Sequence, residues 1–251
     1  MGAETKQSRT QRVTRVLCAA EPRGSADAID ALVHAAGDLD VQAIALVGDL
    51  TSGGGDARAD YRGVFRALGR AGLPAFWVPG PADAPVEHYL RETHNIEIVH
   101  PFLHGVHGSV AFASGSVLVA GLGGEVDDDP EGARDERQRL RYPRWEAEYR
   151  LKALEREFSE LPELVLLFAT PPAHKGLGVE GSEALAELAA THRARLVVCA
   201  GAPQTMMIGR TLVVAPGPLA DGSCAVADLH SRTVERAYAR GGGAVRSQVG
   251  A

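Results

Sequence analysis

The sequence predicts an α/β protein built as one domain, and three observations predict it. Short apolar runs of strand length recur along the chain: RVLCAA at 15–20, AIALVG at 43–48, PAFWVPG at 74–80, ELVLLFAT at 163–170 and RLVVCAG at 195–201. Segments of helical length with one apolar face lie between them. Of the 251 residues, 45% are hydrophobic, enough for a sizeable shared core, and no composition break marks a linker between residues 13 and 238.

The elements follow in order. RVLCAA is the first strand, and GSADAIDALVHAAG (24–37) is a helix with Ser25 as N-cap and Gly37 as its stop. AIALVG is the second strand. ARADYRGVFRALGRAG (57–72) is a helix whose Tyr61, Phe65 and Leu68 share a face at spacings of four and three. PAFWVPG is the third strand, and APVEHYLRETH (84–94) a short helix. IEIVH (96–100), SVAFAS (109–114) and SVLVAGLGG (116–124) read as short β segments, with Gly115-Ser116 as a hairpin turn. EVDDDPEGARDERQRLR (125–141) has almost no apolar residues and reads as an exposed loop or lid. YPRWEAEYRLKALEREF (142–158) is a helix whose Trp145, Tyr149, Leu151 and Leu154 form a core-facing stripe. The alternation then resumes: ELVLLFAT strand, SEALAELAATH (182–192) helix, RLVVCAG strand. TLVVAPG, SCAVADLH and TVERAYA close the domain as three strands. Residues 1–12 read as a disordered tail and 239–251 as a flexible Gly-rich one.

Composition excludes several classes. The net charge of −6 argues against general nucleic-acid binding, which needs a basic face. No apolar run is long enough for a membrane span. The polar start lacks the apolar run of a signal peptide, and Lys6 fits a myristoylation signal poorly, so a cytoplasmic location is expected. Cys18, Cys199 and Cys224 each sit in an apolar segment without CxxC spacing, as buried inert thiols do. TSGGGDARAD lacks the GK[ST] of a P-loop, GLGGEV is not GxGxxG, and no serine stands in a GxSxG elbow. His100, His104 and His107 cluster in HPFLHGVHG, but no acid or Cys completes a zinc set, which favours structural roles.

Chemistry-bearing residues collect instead at strand ends: CAAEPRGS, VGDL, VPGPADAP, FATPPAHKG and CAGAPQ, followed by LVVAPGPLADG. This order resembles the calcineurin-like metallophosphoesterases, whose strand ends carry D-x-H, G-D, G-N-H-D/E, a lone His and G-H-x-H, then often N-P-G. The resemblance covers residues 13 to about 238. It is closest to a bacterial subfamily with V-P-G-x-x-D-A-P, a Y-P-x-W-x-x-E-Y helix start and T-P-P before H-K-G, read here as VPGPADAP, YPRWEAEY and TPPAHKG. It implies an αββα sandwich: two mixed β-sheets flanked by helices.

It also implies a pair of divalent metals that activate a bridging water and neutralise phosphoryl charge. Carried over position by position, that ligand set is largely gone. Glu21 stands at the first Asp and Arg23 at its His; Asp49 matches the bridging Asp. Pro81 and Ala82 replace the Asn and His of the third motif, with Asp83 as its trailing acid, usually a support. Ala169 falls at the lone His, Gly201 and Pro203 at the two His of G-H-x-H, and Ala215 at the Asn of N-P-G. Pro, Ala and Gly side chains offer no ligand atoms, and a guanidinium repels a cation.

The expectation is therefore a non-catalytic member, without a cofactor, that binds a phosphate-bearing small molecule or a partner at the former active-site cleft. Arg23, close to a helix start, is the candidate anion contact, alternatively salt-bridged to Asp49 or Asp83. Asp49 reads as a residual ligand or as a loop cap paired with Arg23. His174, Lys175 and Gln204 are further ligand-contact candidates. The alternative is an active phosphoesterase in which Glu21, Asp49 and Asp83 converge on one Mg or Mn ion and His174 assists the leaving group. A third reading is an interaction module, a homo-oligomer using the segment 125–140.

Overall fold

The computed structural model describes residues 12–113, 117–129, 134–152, 163–177, 180–240 and 243–247. Two mixed sheets stack face to face, as the resemblance implies. The first runs in the order β15 (Gly243–Ser247), β14 (Thr233–Arg240), β13 (Ser223–Asp228), β1 (Arg15–Ala20), β2 (Ala43–Val47), β3 (Ala75–Val78) and β4 (Leu103–Gly105). The second runs β11 (Gln204–Ile208), β12 (Thr211–Ala215), β10 (Leu196–Cys199), β9 (Glu163–Phe168), β6 (Val117–Leu122) and β5 (Val110–Phe112). β1 through β4 are parallel to one another, as are β6, β9, β10 and β12; antiparallel strands finish the other edges.

Strand alternation divides the core. Val16, Cys18, Ala20, Ala45, Val47 and Val78 point between the sheets, against Val119, Val165, Leu167, Val198 and Val214. Leu17, Ala19, Ile44, Leu46 and Trp77 point outward, against α1 (Ala26–Asp38), α2 (Ala57–Gly69) and α3 (Val86–Val99). On the far face α5 (Arg144–Leu151) and α6 (Glu183–Thr191) cover Leu166, Phe168 and Val197. Strands buried on both faces explain why they read as continuous apolar runs. The three cysteines are buried and free, and burial pushes the Cys199 and Cys224 thiols up to about 12.

Local signals held in several places. The Ser25 Oγ accepts the Ala28 N–H as N-cap of α1, and Tyr61, Phe65 and Leu68 are buried on α2. Others failed for identifiable reasons. Gly37 lies inside α1, which ends one residue later. IEIVH is not a strand: α3 runs through Val99, because Tyr89, Thr93 and Ile96 repeat at helical spacing against the outer core. The β-branched run there leaves Ile98 and Val99 exposed. β11 and β15 went unread, and β15 pairs with β14 within the span read as a flexible tail. Trp145 and Tyr149 are not core; they are 51% and 70% exposed, and Ala147 and Leu151 fill the buried face of α5 instead. Residues 1–11 and the predicted hairpin turn, Leu154 and the end of that helix lie outside the described residues. Among the described residues no helix is long and apolar enough to cross a membrane.

The segment read as an exposed lid is folded where it is described. β7 (Glu125–Asp127) pairs with β8 (Arg141–Pro143), with the short helix α4 (Glu136–Arg139) between, and Leu140 and Tyr142 are fully buried. Its acids have fixed partners. Asp128 accepts hydrogen bonds from Ser182 Oγ, Glu183 N and Ala184 N at the start of α6, which hold its carboxyl below the usual range. Removing those acceptors leaves helix-start donors unpaired. Asp128→Ala is expected to lower stability by about 1–2 kcal/mol, read as a fall in the denaturant midpoint with unchanged slope.

Candidate functional site

The carboxyl ends of the parallel strands of both sheets meet at one rim of the stack, where α/β folds place their ligands. The β1 end is tied to β2 by the Glu21 N–H, which donates to the Val47 and Gly48 carbonyls, and by the Arg23 N–H, which donates to Asp49 O. The β2 end abuts β3 and β9: a Cβ on Gly48 would touch Gly80 Cα at 3.5 Å and Ala169 Cβ at 3.6 Å. The β12 end reaches back to β1 through the Ala20–Pro218 bridge, and Gly217 packs against Pro203 after β10. The positions that the resemblance assigns to ligands thus lie at or just beyond strand ends on this rim.

The rim backbone is held in uncommon conformations. Glu21, Arg23 and Asp49 have φ of +50°, +49° and +38°, a region that costs a non-glycine residue about 1 kcal/mol or more. Gly80 is required by proximity: a Cβ there would lie 2.1 Å from the Asp49 N.

Asp83 fastens the rim. It is 2% exposed, and its carboxylate accepts the N–H groups of Leu50 and Gly80 on one oxygen and of Thr51 on the other, at 2.7–2.8 Å. Tyr61 Oη donates to its carbonyl at 3.1 Å. Burial pushes its carboxyl up to about 6, against the pull of those three donors, and the nearby Asp49 charge adds to the rise. Asp83 is a support, with its oxygens turned into backbone and away from solvent.

Asp49 is partly buried, and its Oδ1 accepts the Ala82 N–H at 2.9 Å. Arg23 bonds neither Asp49 nor Asp83, contrary to the sequence reading. Its Nη2 pairs with Glu21 Oε2 at 2.6 Å, and the rest of its side chain is open, 56% exposed against 16% for Glu21. The Glu21 bond and the charges of Glu21, Asp49 and Asp221 hold the guanidinium pKa above its ordinary value. Asp221, in the short turn Leu219–Asp221 after β12, was not singled out in the sequence; the Pro-Leu-Ala-Asp-Gly turn was its only signal.

The remaining candidates follow β9 and β10. Exposed His174 accepts the Gly176 N–H on Nδ1 at 3.0 Å, and exposed Lys175 opens the next turn. Gln204 opens β11 and pairs with Ala215. Among the described residues no hydrogen bond or ion pair joins these three to Glu21, Arg23 or Asp49. The three histidines of HPFLHGVHG also separate: His100 sits edge-on to Phe102, His104 stacks on Phe76, and His107 bonds Tyr142.

These residues do not fit a dinuclear metal centre. Pro81, Ala82, Ala169, Gly201, Pro203 and Ala215 bring no side-chain donor atoms to it. The mononuclear alternative needs Glu21, Asp49 and Asp83 on one ion, whereas the Asp83 oxygens accept backbone N–H groups and Glu21 Oε2 pairs with Arg23. Among the described residues no three His, Cys, Asp or Glu form a group suited to a metal ion.

Comparison with known proteins places this site in context. A structure of TT1561 from Thermus thermophilus is 43% identical, covers 91% of this chain and 100% of that one, and superposes with a TM-score of 0.85. A dimetal phosphatase from Danio rerio shares the fold at 10% identity, over 94% and 99% of the two chains, with a TM-score of 0.62. The 5'-nucleotidase of Candida albicans shares it at 10% identity over 91% of this chain and 52% of its own, with a TM-score of 0.52. No curated protein matches the chain by sequence. Residues 9–238 match the sequence profile described as metallophosphoesterase, calcineurin superfamily. Six donor-free residues at its rim notwithstanding, the chain belongs to that superfamily of metallophosphoesterases.

Proposed function

We propose that this protein has kept the metallophosphoesterase fold and lost its metal-dependent hydrolysis, and that it binds a phosphate-bearing small molecule or partner at the former active-site cleft. The observation that carries the reading is the rim itself. Its strained backbone is intact, while Pro81, Ala82, Ala169, Gly201 and Pro203 replace donors and Arg23 presents an open guanidinium face there. Strained conformations concentrate where a fold positions a ligand. A guanidinium anchored by Glu21 on one side can hold phosphate oxygens on the other, as a point of fixed positive charge.

The hydrolytic half is tested by metal content and by turnover of bis-p-nitrophenyl phosphate with added Mn²⁺. Less than one metal per chain and no turnover are expected. Two stoichiometric metals, or turnover abolished by Asp49→Ala, would overturn the reading. The binding half is tested by calorimetric titration with inorganic phosphate and phenyl phosphate. Binding should weaken as salt is raised, and Arg23→Gln should weaken it by about tenfold, the worth of a charge-assisted bond. Equal affinity in wild type and Arg23→Gln removes Arg23 from the site.

A further inference from the structure

The end of the stack opposite the rim, where the parallel strands begin, carries arginines on three separate turns. Arg195 immediately precedes β10, and Arg210 lies in the hairpin turn that leads into β12. β10 and β12 run parallel with Leu196 beside Leu212, and the Leu212 N–H donates to the Arg195 carbonyl at 3.2 Å. Adjacent strands lie about 4.8 Å apart, so Arg195 and Arg210 enter their strands side by side. Arg232 lies in the turn between β13 and β14. The Arg195 guanidinium crosses to that turn: its Nε donates to the Leu229 carbonyl, and its Nη2 to the His230 carbonyl at 2.6 Å. The Arg232 N–H closes the same turn on the Asp228 carbonyl at 2.9 Å. Hydrogen bonds thus fix two of the arginines on one turn, with the third on the neighbouring strand entry.

Among the described residues no acid pairs with Arg195, Arg210 or Arg232. The acids nearby are engaged elsewhere: Glu163 pairs with Arg12, Glu235 with Arg15, and the Asp228 carboxylate accepts the Ser231 N–H at 2.7 Å. Arg232 shows the imbalance most clearly. Its Nε is buried and has no hydrogen-bond partner among the described residues. Loss of water contact first, and then the Arg195 and Arg210 charges, hold its guanidinium below the ordinary pKa. Its φ is +58°, a conformation that a turn usually gives to Gly or Asn, so the turn itself does not call for an arginine. A buried guanidinium N–H costs free energy until an acceptor meets it, and gathered like charges cost more until an anion comes among them.

The geometry points to a second anion site, formed by Arg195, Arg210 and Arg232 at the opposite end of the sandwich from the rim, that takes a multiply charged phosphate group of a small ligand. Guanidinium groups bring donors only, in planar forks that match phosphate oxygens. Arg195, tied to two carbonyls, is the fixed wall of the site, while exposed Arg210 and half-buried Arg232 are open to a ligand. A long polyanion would also meet the remainder of a chain whose net charge is −6, which favours a small ligand.

The test is a calorimetric titration of the full chain with pyrophosphate, in an Arg23→Gln background so that the rim arginine takes no part. One pyrophosphate per chain is expected, bound less tightly as salt is raised. Arg210→Gln and Arg232→Gln should each weaken it by about tenfold, the worth of a charge-assisted bond. Arg195 is left in place because it holds the Leu229–His230 turn, and exposed Arg210 keeps the test valid should Arg232→Gln fail to fold. Thermal melts give a second readout. At low salt without pyrophosphate, Arg210→Gln should be at least as stable as its parent, because it removes like-charge repulsion. Pyrophosphate should raise the Tm of the parent and leave that of the Arg210→Gln, Arg232→Gln double variant unchanged. Equal affinity in the parent and both single variants, or no binding up to about 1 mM, overturns the proposal. A single-stranded oligonucleotide that binds more tightly than pyrophosphate, and loses that advantage in the same variants, overturns the small-ligand assignment.

Discussion

Asp83→Ala should be the most destabilising single change at the rim, costing about 3–5 kcal/mol. Truncation leaves the buried N–H groups of Leu50, Thr51 and Gly80 without acceptors. Each unsatisfied donor costs about 1–3 kcal/mol, less whatever water can recover by entering the space vacated. Asp83→Asn keeps one carbonyl oxygen but turns an amide N–H₂ against at least one backbone donor, so it should cost less, about 1–3 kcal/mol. A pH signature separates this role from ordinary packing. The Asp83 carboxyl lies at about 6 in the fold, above its ordinary value near 4 when unfolded. Between those values the folded state holds more protons, so this group makes stability fall as pH rises from about 4 to 6, by up to about 3 kcal/mol. In Asp83→Asn that contribution should vanish. Chemical denaturation at intervals from pH 4 to 7 checks it. An identical pH profile in wild type and variant would show that Asp83 does not titrate in this window.

How much of this was legible in the sequence depends on the range of the interaction. Strand runs such as AIALV and ELVLLF are buried on both faces, so composition alone exposes them, and Gly or Pro marks their ends. The rim positions were legible from the ordered motifs, because each loop leaves a strand at a fixed point. What the motifs could not give was partner choice. Arg23 was read as facing Asp49 or Asp83 because those acids lie at neighbouring rims; the positive φ at residues 21 and 23 turns it onto Glu21, and a dihedral angle leaves no residue-type signal when the residue is not Gly. Asp83 reaches Leu50 and Thr51 across more than 30 residues, and sequence spacing carries no trace of that bond. The segment 125–141 misled for the opposite reason. Its charge density reads as solvent-exposed, but Glu136 pairs with Arg150 of α5, which lies over the buried Tyr142 ring, and Arg141 pairs with Asp127. Trp145 and Tyr149 show the converse error, aromatic residues assigned to a core that Ala147 and Leu151 already fill.

His107→Gln should expose the pH dependence that Asp83 creates, which His107 opposes in wild type. His107 lies where the segment 125–141 joins the central sheets: its Nδ1 accepts the Gly123 N–H at 2.9 Å, which leaves Nε2 protonated and donating to Tyr142 Oη at 2.8 Å. Tyr142 passes the chain on to Glu136 Oε1 at 3.2 Å, and Arg150 bridges Glu136 and Glu146 at 2.8 Å each while lying 4.8 Å over the Tyr142 ring. A second proton on His107 would have to sit on Nδ1, facing the Gly123 donor. Burial first, and then the Arg150 charge, lower its pKa to about 4. Unfolded, it titrates near 6.5. The unfolded state therefore holds more protons between about 4 and 6.5, so His107 contributes stability that is complete above 6.5 and is lost as pH falls towards 4, by up to about 3 kcal/mol. That slope opposes the one from Asp83 over nearly the same window, and in wild type the two largely offset. Removing either exposes the other. Asp83→Asn should be a protein that weakens steeply on acidification, and His107→Gln one that gains stability as pH drops from 6 to 4, after an initial cost of about 2 kcal/mol at pH 7 for the disturbed Gly123 and Tyr142 bonds. If both variants respond to acid in the same direction, the balance between the rim and the segment 125–141 is not set by these two groups.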